Sequence, residues 1–273
     1  EGVRHAVWWL SVNNNRGAYT AEHFRETLPG CVRGVLHLCQ SAYALAHVSA
    51  HCREGSASMM TEYISHDGVA PGEEVVRDLE VVYNPLKGMH HTDAIIEACN
   101  GTIRRHDDDA VPPPSDAPEG RRVLFTPIGG RSRSDRLDPA GVSRLLRRAR
   151  VYIDFGPHPG MDRLPREAAA SGCVVVTGKE GAAGFAEDVP VPERFKVGAP
   201  AGRAGKRGRD GNSRSVDGEV DYERVRDLIV EGIDKYSEIL GELDDYREWI
   251  RGQKQAMEEL VEVFLKETSV WKN

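Results

Sequence analysis

The chain has 273 residues, of which 40% are hydrophobic and 29% charged, and its formal net charge is −7. This length is ample for a buried core and suits one large or two small domains. An acidic chain is a poor candidate for nucleic-acid binding, and no apolar run approaches the roughly 20 residues of a membrane-spanning helix. We therefore predict no nucleic-acid partner and no membrane span.

The cysteines indicate the cellular compartment of the protein, and the first residues indicate whether the sequence is a fragment. Five cysteines show no framework spacing, and the odd count favours free thiols in a reducing compartment, so a cytoplasmic location is expected. Glu1 stands where a starting Met would be, and residue 6 already lies in a strand-like run. We therefore expect a fragment or a processed form.

The first 72 residues alternate strand-like and helix-like patterns. The runs His5 to Val12, Val32 to Leu38 and Ser58 to Ile64 predict strands. Between the last two, Ala42 to Arg53 predicts a helix. This alternation is typical of a parallel α/β domain, and we predict that residues 1–72 form part of one.

The turn-rich segment from His66 to Glu74 is the predicted domain boundary. A second α/β domain is predicted over residues 73–273. It would begin with a strand from Leu79 to Tyr83, a turn ending at Gly88 and a helix to about Cys99. A further strand and helix are predicted over Val123 to Ile128 and Pro139 to Arg150.

The most informative stretch runs from Val151 to Gly184. A strand over Val151 to Phe155 is followed by a loop with the sequence GPHPG and by a helix with Pro165 and Glu167 in its first turn. Gly172 would end that helix, and Cys173 to Thr177 predicts a buried parallel strand.

This stretch suggests an anion site. In open α/β sheets ligands bind beyond the carboxyl ends of the strands, and a helix amino terminus presents free N–H groups. Arg163 would add a bidentate phosphate contact, whereas Glu167 would suit a sugar or ribose hydroxyl pair. The spacing fits equally well an ordinary capped helix in which Arg163 and Glu167 pair four residues apart, and it leaves both interpretations open.

Two insertions and a helical end complete the chain. Residues 106–120 and 198–220 have the composition of disordered insertions. Asp221 to Lys266 has apolar residues at helical spacing, which predicts packing helices. Neither the triple Asp at 107–109, which lies in an insertion, nor the pair His47 and His51, which lacks a third ligand, predicts a metal site.

Residues 151–196 resemble the donor-binding region of GT-B glycosyltransferases. They are more closely similar to a group of glycosyltransferase-like proteins with the pattern DFGxHPGxDRxPREAA. The matching residues are Asp154, Phe155, Gly156, His158, Pro159, Gly160, Asp162, Arg163, Pro165, Arg166, Glu167, Gly172, Gly181, Asp188, Pro192 and Lys196. The segments WWLSV (8–12) and YNPLKG (83–88) extend the resemblance, whereas Asn13 replaces an acid of the pattern.

The resemblance implies an α/β fold of the GT-B type. Two Rossmann-like parallel-sheet domains are expected, the first incomplete at its amino terminus, with carboxyl-terminal helices that cross back to it. The implied activity is transfer of a sugar from a nucleotide-diphosphate-sugar donor to a hydroxyl of a glycan or small-molecule acceptor. The donor-binding residues it implies are Lys87, His158, Pro159, Gly160, Arg163, Glu167, Gly181, Ala182 and Ala183.

The same resemblance implies no cofactor and no metal, since the nucleotide sugar is a substrate and GT-B enzymes often need no ion. It identifies no catalytic base. Because of Asn13, a non-catalytic nucleotide- or glycan-binding module of the same fold is the alternative. An epimerase or an NAD-dependent reductase is disfavoured, since no strand is followed by GxGxxG.

Overall fold

The computed structural model describes residues 5–12, 35–50, 57–65, 75–103, 122–130, 135–198 and 220–270. These residues form two parallel sheets, one on each side of the predicted linker. The linker, the insertion at 106–120 and nearly all of the insertion at 198–220 lie outside the described residues. The division into domains at residue 72 stays a prediction.

The first sheet contains strands β1 (His5–Trp9), β2 (Val35–Cys39) and β3 (Ala57–Met59) in that order, all parallel. Helix α1 (Ala42–Ser49) follows β2, and its N-cap Ser41 accepts a hydrogen bond from the Ala44 amide. The strand predicted to reach Ile64 is shorter than expected. Residues beyond Met59 leave the sheet because Thr61 and Glu62 contact the other half of the chain.

The second sheet contains β4 (Leu79–Tyr83), β5 (Thr102–Ile103), β6 (Leu124–Pro127), β7 (Ala149–Asp154) and β8 (Val174–Thr177) in the order β5-β6-β4-β7-β8, all parallel. Helices α2 (Met89–Ala98), α3 (Pro139–Arg148) and α4 (Arg163–Ala170) alternate with these strands. The predicted helix to Arg150 stops two residues early because Ala149 pairs with Leu79 in the sheet.

The strand order places a crevice at one point of the second sheet. After β4 the chain continues to strands on one side of it, and β7 then pairs with its other side. Ligands of open α/β sheets bind at such a reversal, beyond the carboxyl ends of the two strands. The turn that contains Lys87 and the GPHPG loop both start there.

The carboxyl-terminal region is helical as predicted, but it is divided into α5 (Tyr222–Asp234), α6 (Tyr236–Gly241) and α7 (Asp244–Val270). Helix α5 packs on the second sheet, with Gly232 against Val151 and Val174. Helix α7 reaches back to the first half of the chain, where the Thr61 hydroxyl donates to Gln253 Oε1 over 3.2 Å. No helix in the described part of the chain is long and apolar enough to cross a membrane.

The carboxyl ends of the first sheet meet the loop that follows β7. Beyond β1, the Val12 amide donates to the Pro159 carbonyl over 2.6 Å. Beyond β2, Gln40 Oε1 accepts from the Met161 amide over 3.2 Å. The first sheet therefore supports the loop that carries the predicted site residues.

Candidate functional site

Two turns are in direct contact at the crevice: the one after β4, which ends in Lys87 and Gly88, and residues 156–161 after β7, called here the HPG loop. Gly88 has φ +57°, and a Cβ there would lie 2.6 Å from the Gly156 amide nitrogen. A side chain at Gly156 would in turn collide with Lys87. The two glycines thus allow the backbones to approach closely and place Lys87 beside the HPG loop.

The other small residues predicted to bind the donor, together with Pro159, form the wall of the crevice. Pro159, Gly160, Gly181, Ala182 and Ala183 are all buried. Gly181 has φ +63° and forms a parallel bridge with His158, whose carbonyl accepts from the Ala182 amide over 2.9 Å. In this structure the Ala182 amide is therefore engaged with the backbone and is not free to donate to a phosphate.

Four charged side chains form a line of alternating sign, which we call the charge chain. The Lys87 ammonium pairs with the Asp162 carboxylate. Asp162 Oδ2 lies 3.4 Å from His158 Nδ1, and Asp154 Oδ1 lies 3.5 Å from His158 Nε2. The His158 ring is fully buried, whereas 30% of the Lys87 side chain and 18% of the Asp162 side chain are exposed. The chain therefore runs from the interior to the surface of the crevice.

The protonation of this chain follows from its geometry. Burial by itself lowers the pKa of His158, but the carboxylates of Asp154 and Asp162 more than offset it, and the pKa is raised. Burial by itself raises the pKa of Asp154, but His158 and Lys87 act in the opposite direction, and the pKa is lowered. Both shifts favour an imidazolium between two carboxylates.

Two hydrogen bonds also fix the position of the Asp154 carboxylate. Its Oδ2 accepts from the Tyr152 hydroxyl over 2.9 Å, and its Oδ1 accepts from the Gly156 amide over 3.1 Å. Hydrogen bonds of this kind favour the ionised carboxylate. Asp154 is thus a fixed negative charge at the end of β7.

A metal site is a second interpretation of this cluster. One ligand atom from each of Asp154, His158 and Asp162 lies within 4.8 Å of the others. The two carboxylates face opposite nitrogens of the imidazole ring. An ion bound to one nitrogen would have one carboxylate beside it and the other across the ring. This arrangement fits a bridging imidazolium better than a tetrahedral zinc centre, and the absence of a metal stays a prediction.

Arg163 and Glu167 form the i,i+4 pair of the simpler interpretation, with 2.8 Å between Nη2 and Oε1. The side chain of Arg163 is 64% exposed. Glu167 is the fifth residue of α4, so the prediction that it occupies the first turn is wrong: the helix begins at Arg163, before Pro165. A phosphate contact by Arg163 would have to compete with Glu167.

Two residues acquire structural roles that sequence reasoning missed, although both lie in the resembling pattern. Arg166 is buried and donates to Glu62 Oε1 over 2.7 Å and to the Met161 carbonyl over 2.8 Å. Asp188 is buried and accepts from the first amides of α1, and burial raises its pKa to about 6 against those two hydrogen bonds. Both side chains join the two halves of the chain around the crevice.

Comparison with known proteins supports the fold. No protein-family model matches the sequence, and a search of curated proteins finds no match either. Solved structures match over nearly the whole chain, and they show that it has the GT-B fold of glycosyltransferases.

Three of these structures serve as references. Anabaena HepE in complex with UDP-glucose is 13% identical, with 96% of this chain and 72% of HepE covered and a TM-score of 0.54. A glycosyltransferase from Rickettsia africae is 10% identical, with coverages of 96% and 70% and a TM-score of 0.56. The pneumococcal O-GlcNAc transferase GtfA, in complex with UDP and GlcNAc, is 11% identical, with coverages of 96% and 52% and a TM-score of 0.50. At these identities the likeness concerns the fold and not the reaction.

Proposed function

We propose that the chain binds a nucleotide-diphosphate sugar at the crevice between the turn after β4 and the HPG loop. The sugar would then be transferred to a hydroxyl of a glycan or small-molecule acceptor. The observation that carries this proposal is the position of Lys87 beside the HPG loop, at the strand-order reversal of a GT-B fold. HepE and GtfA were crystallised with UDP, which makes UDP the first nucleotide to test.

Positive charge at the crevice supports a diphosphate ligand. Helices α2 and α4 both begin there. Within the described ranges neither helix has a side-chain cap, because the N-cap of α2 is Gly88 and the Asp162 carboxylate does not accept from the amides of α4. The amino ends of helices favour anions. Together with Lys87 and Arg163 they would stabilise the charge that develops on a departing diphosphate. We propose metal-independent transfer because these groups supply the compensating charge.

The remaining predicted residues would shape the donor pocket. Glu167 has 18% of its side chain exposed beside Arg163 and would bind hydroxyls of the ribose or the sugar. The HPG loop, which is buried except for Pro157, and the segment from Gly181 to Ala183 would form the wall behind the phosphates. His158 is enclosed by that wall, so it would act on the ligand through Asp162.

One observation favours the alternative of a binding module without turnover. The two basic side chains proposed to meet the diphosphate are paired with carboxylates of the chain itself, Lys87 with Asp162 and Arg163 with Glu167. This pairing reduces the positive charge that is free to stabilise a leaving group. Nucleotide binding without hydrolysis or transfer of a sugar from any UDP-sugar would favour the module.

The experiment is calorimetric titration of the whole 273-residue chain with UDP, GDP, ADP and CMP. We expect saturable binding of one diphosphate and an affinity loss on the order of tenfold to a hundredfold in Lys87→Ala, because a charge-assisted contact is removed. Lys254→Ala is the matched control, since Lys254 is an exposed lysine of α7. A folded chain that binds none of these nucleotides would overturn the proposal.

A further inference from the structure

Asp162 lies between two cations, and this position matters for any phosphate that enters the crevice. On one side it pairs with Lys87, and on the other its Oδ2 lies 3.4 Å from His158 Nδ1. A diphosphate that binds Lys87 brings new negative charge next to the Asp162 carboxylate. Without a second cation nearby, Asp162 would compete with the ligand for the same ammonium group.

We infer that His158 is a positioning residue of the phosphate site, which holds Asp162 while the diphosphate takes Lys87, and that Asp162 sets the affinity by competing with the phosphate. This inference rests on the proposed function of the crevice. It adds a specific exchange: the carboxylate moves from the ammonium to the imidazolium as the ligand binds. No covalent bond forms or breaks in the exchange.

The His158 ring is prepared for this exchange. Within the described residues neither ring nitrogen makes a hydrogen bond of good geometry, although both are fully buried and each lies within 3.5 Å of a carboxylate oxygen. An unsatisfied buried N–H is costly, so a small movement of Asp162 toward Nδ1 is favoured once Lys87 is taken. The backbone of His158 is held in place, because its carbonyl accepts from the Ala182 amide, and the ring is fully buried.

The opposite side of the ring is fixed. Asp154 faces Nε2 and is held by the Tyr152 hydroxyl and the Gly156 amide. The charged groups that act on His158 are Asp154, Asp162 and Lys87. With a neutral imidazole this set carries one excess negative charge, whereas with an imidazolium it is neutral. A diphosphate should therefore bind more tightly to the protonated form.

The test uses inorganic pyrophosphate as the probe, so that the nucleotide base plays no part, on wild type, Asp162→Asn, His158→Gln and the double variant. We expect Asp162→Asn to bind pyrophosphate about tenfold more tightly and His158→Gln about tenfold more weakly. In the Asp162→Asn background, His158→Gln should weaken binding by clearly less than tenfold, because the competing carboxylate is gone and only the charge of the ring is removed. Glu258→Gln, an exposed carboxylate of α7, is the control.

A second measurement needs no substitution in the core. UDP affinity of the wild type should fall as the pH rises through the raised folded-state pKa of His158, at pH values where the UDP phosphates no longer titrate. The decline should be smaller in Asp162→Asn, because His158 then acts on the ligand only through its own charge. A purely structural role of His158 predicts no such difference between the two proteins.

The outcomes separate this inference from the proposed function. If wild type binds neither pyrophosphate nor any of the four nucleotides, the proposed function fails. If wild type binds and Asp162→Asn binds equally or more weakly, the exchange is wrong while the donor site stands. Zinc that stays with the wild type through desalting, and is lost in His158→Gln, would also overturn the imidazolium bridge.

Discussion

The Asp188 carboxylate accepts hydrogen bonds from the backbone amides of Ala42 over 2.6 Å and of Tyr43 over 2.9 Å. It therefore caps α1 of the first sheet from a loop that follows the second sheet. A carboxylate at a helix amino terminus satisfies free N–H groups and complements the helix dipole. Asp188 thus couples the helix of one sheet to the loop of the other, next to the crevice.

Removal of this cap should destabilise the whole chain. Asp188→Ala leaves two half-buried amides without their acceptor, and we expect the free energy of unfolding to fall by about 1–2 kcal/mol. Urea denaturation followed by circular dichroism measures the change. Glu187→Ala is the matched control, because the neighbouring acid is exposed. Equal stability of the two variants would show that the bonds contribute nothing net.

Gly181 is a second position where a substitution should destabilise the chain, here by the addition of a single Cβ atom. Its φ of +63° lies in the region that disfavours side chains, and a Cβ would collide with the His158 carbonyl oxygen. We expect Gly181→Ala to lower the free energy of unfolding by about 2 kcal/mol or more, because strain and collision add. The measurement is again urea denaturation.

The control for Gly181→Ala is a substitution that should raise the free energy of unfolding. Gly252 lies inside α7, and a Cβ there would have no neighbour within 4 Å. Gly252→Ala should raise stability by up to about 1 kcal/mol, because alanine is the better helix former. A Gly181→Ala protein as stable as the wild type would contradict the close approach of the two segments.

The fold was largely predictable, and the site was not, for a physical reason. The strands β4, β7 and β8 are continuous apolar runs bounded by glycine or polar turns, so local pattern suffices to find them within about two residues. Strand β5 has two exposed residues, Thr102 and Ile103, and no pattern marks it. The prediction of helices that cross back to the first half came from the resemblance, and the contact of α7 with Thr61 agrees with it.

The connections of the site depend on contacts between distant parts of the chain. Lys87 and Asp162 are 75 residues apart, and Arg166 and Glu62 are 104 apart. Spacing along the sequence carries no information about such pairs. The interpretations of Arg163 and Glu167 stayed open for the same reason, because their i,i+4 pair forms in the structure whether or not a ligand uses the two side chains.

The pH dependence of stability should report the charge of His158. Its pKa is raised above 6.5 in the folded chain, so below pH 6.5 both the folded and the unfolded states are protonated and the ion pair contributes in full. As the pH rises above 6.5 the unfolded state loses its proton first, and the contribution declines until it is lost above the folded pKa. Asp154, whose pKa is lowered, keeps its contribution throughout this range and loses it only in acid.

We therefore expect the stability difference between wild type and His158→Gln to shrink steadily from pH 6.5 upward. Urea denaturation at pH values from about 6 to about 9 measures it. His90→Gln is the control, since His90 is exposed on α2. A difference that stays constant over this range would mean that folding does not raise the pKa of His158.

Glu167 distinguishes the two interpretations of its pair with Arg163. If Glu167 binds ribose hydroxyls, Glu167→Gln should weaken UDP on the order of tenfold and leave pyrophosphate unchanged, because only UDP carries a ribose. If Glu167 only neutralises Arg163, the substitution frees the guanidinium, and both ligands should bind more tightly. Calorimetric titration of both ligands separates the cases, with Glu258→Gln as the exposed control. Unchanged affinities for both ligands would exclude Glu167 and its pair from the donor site.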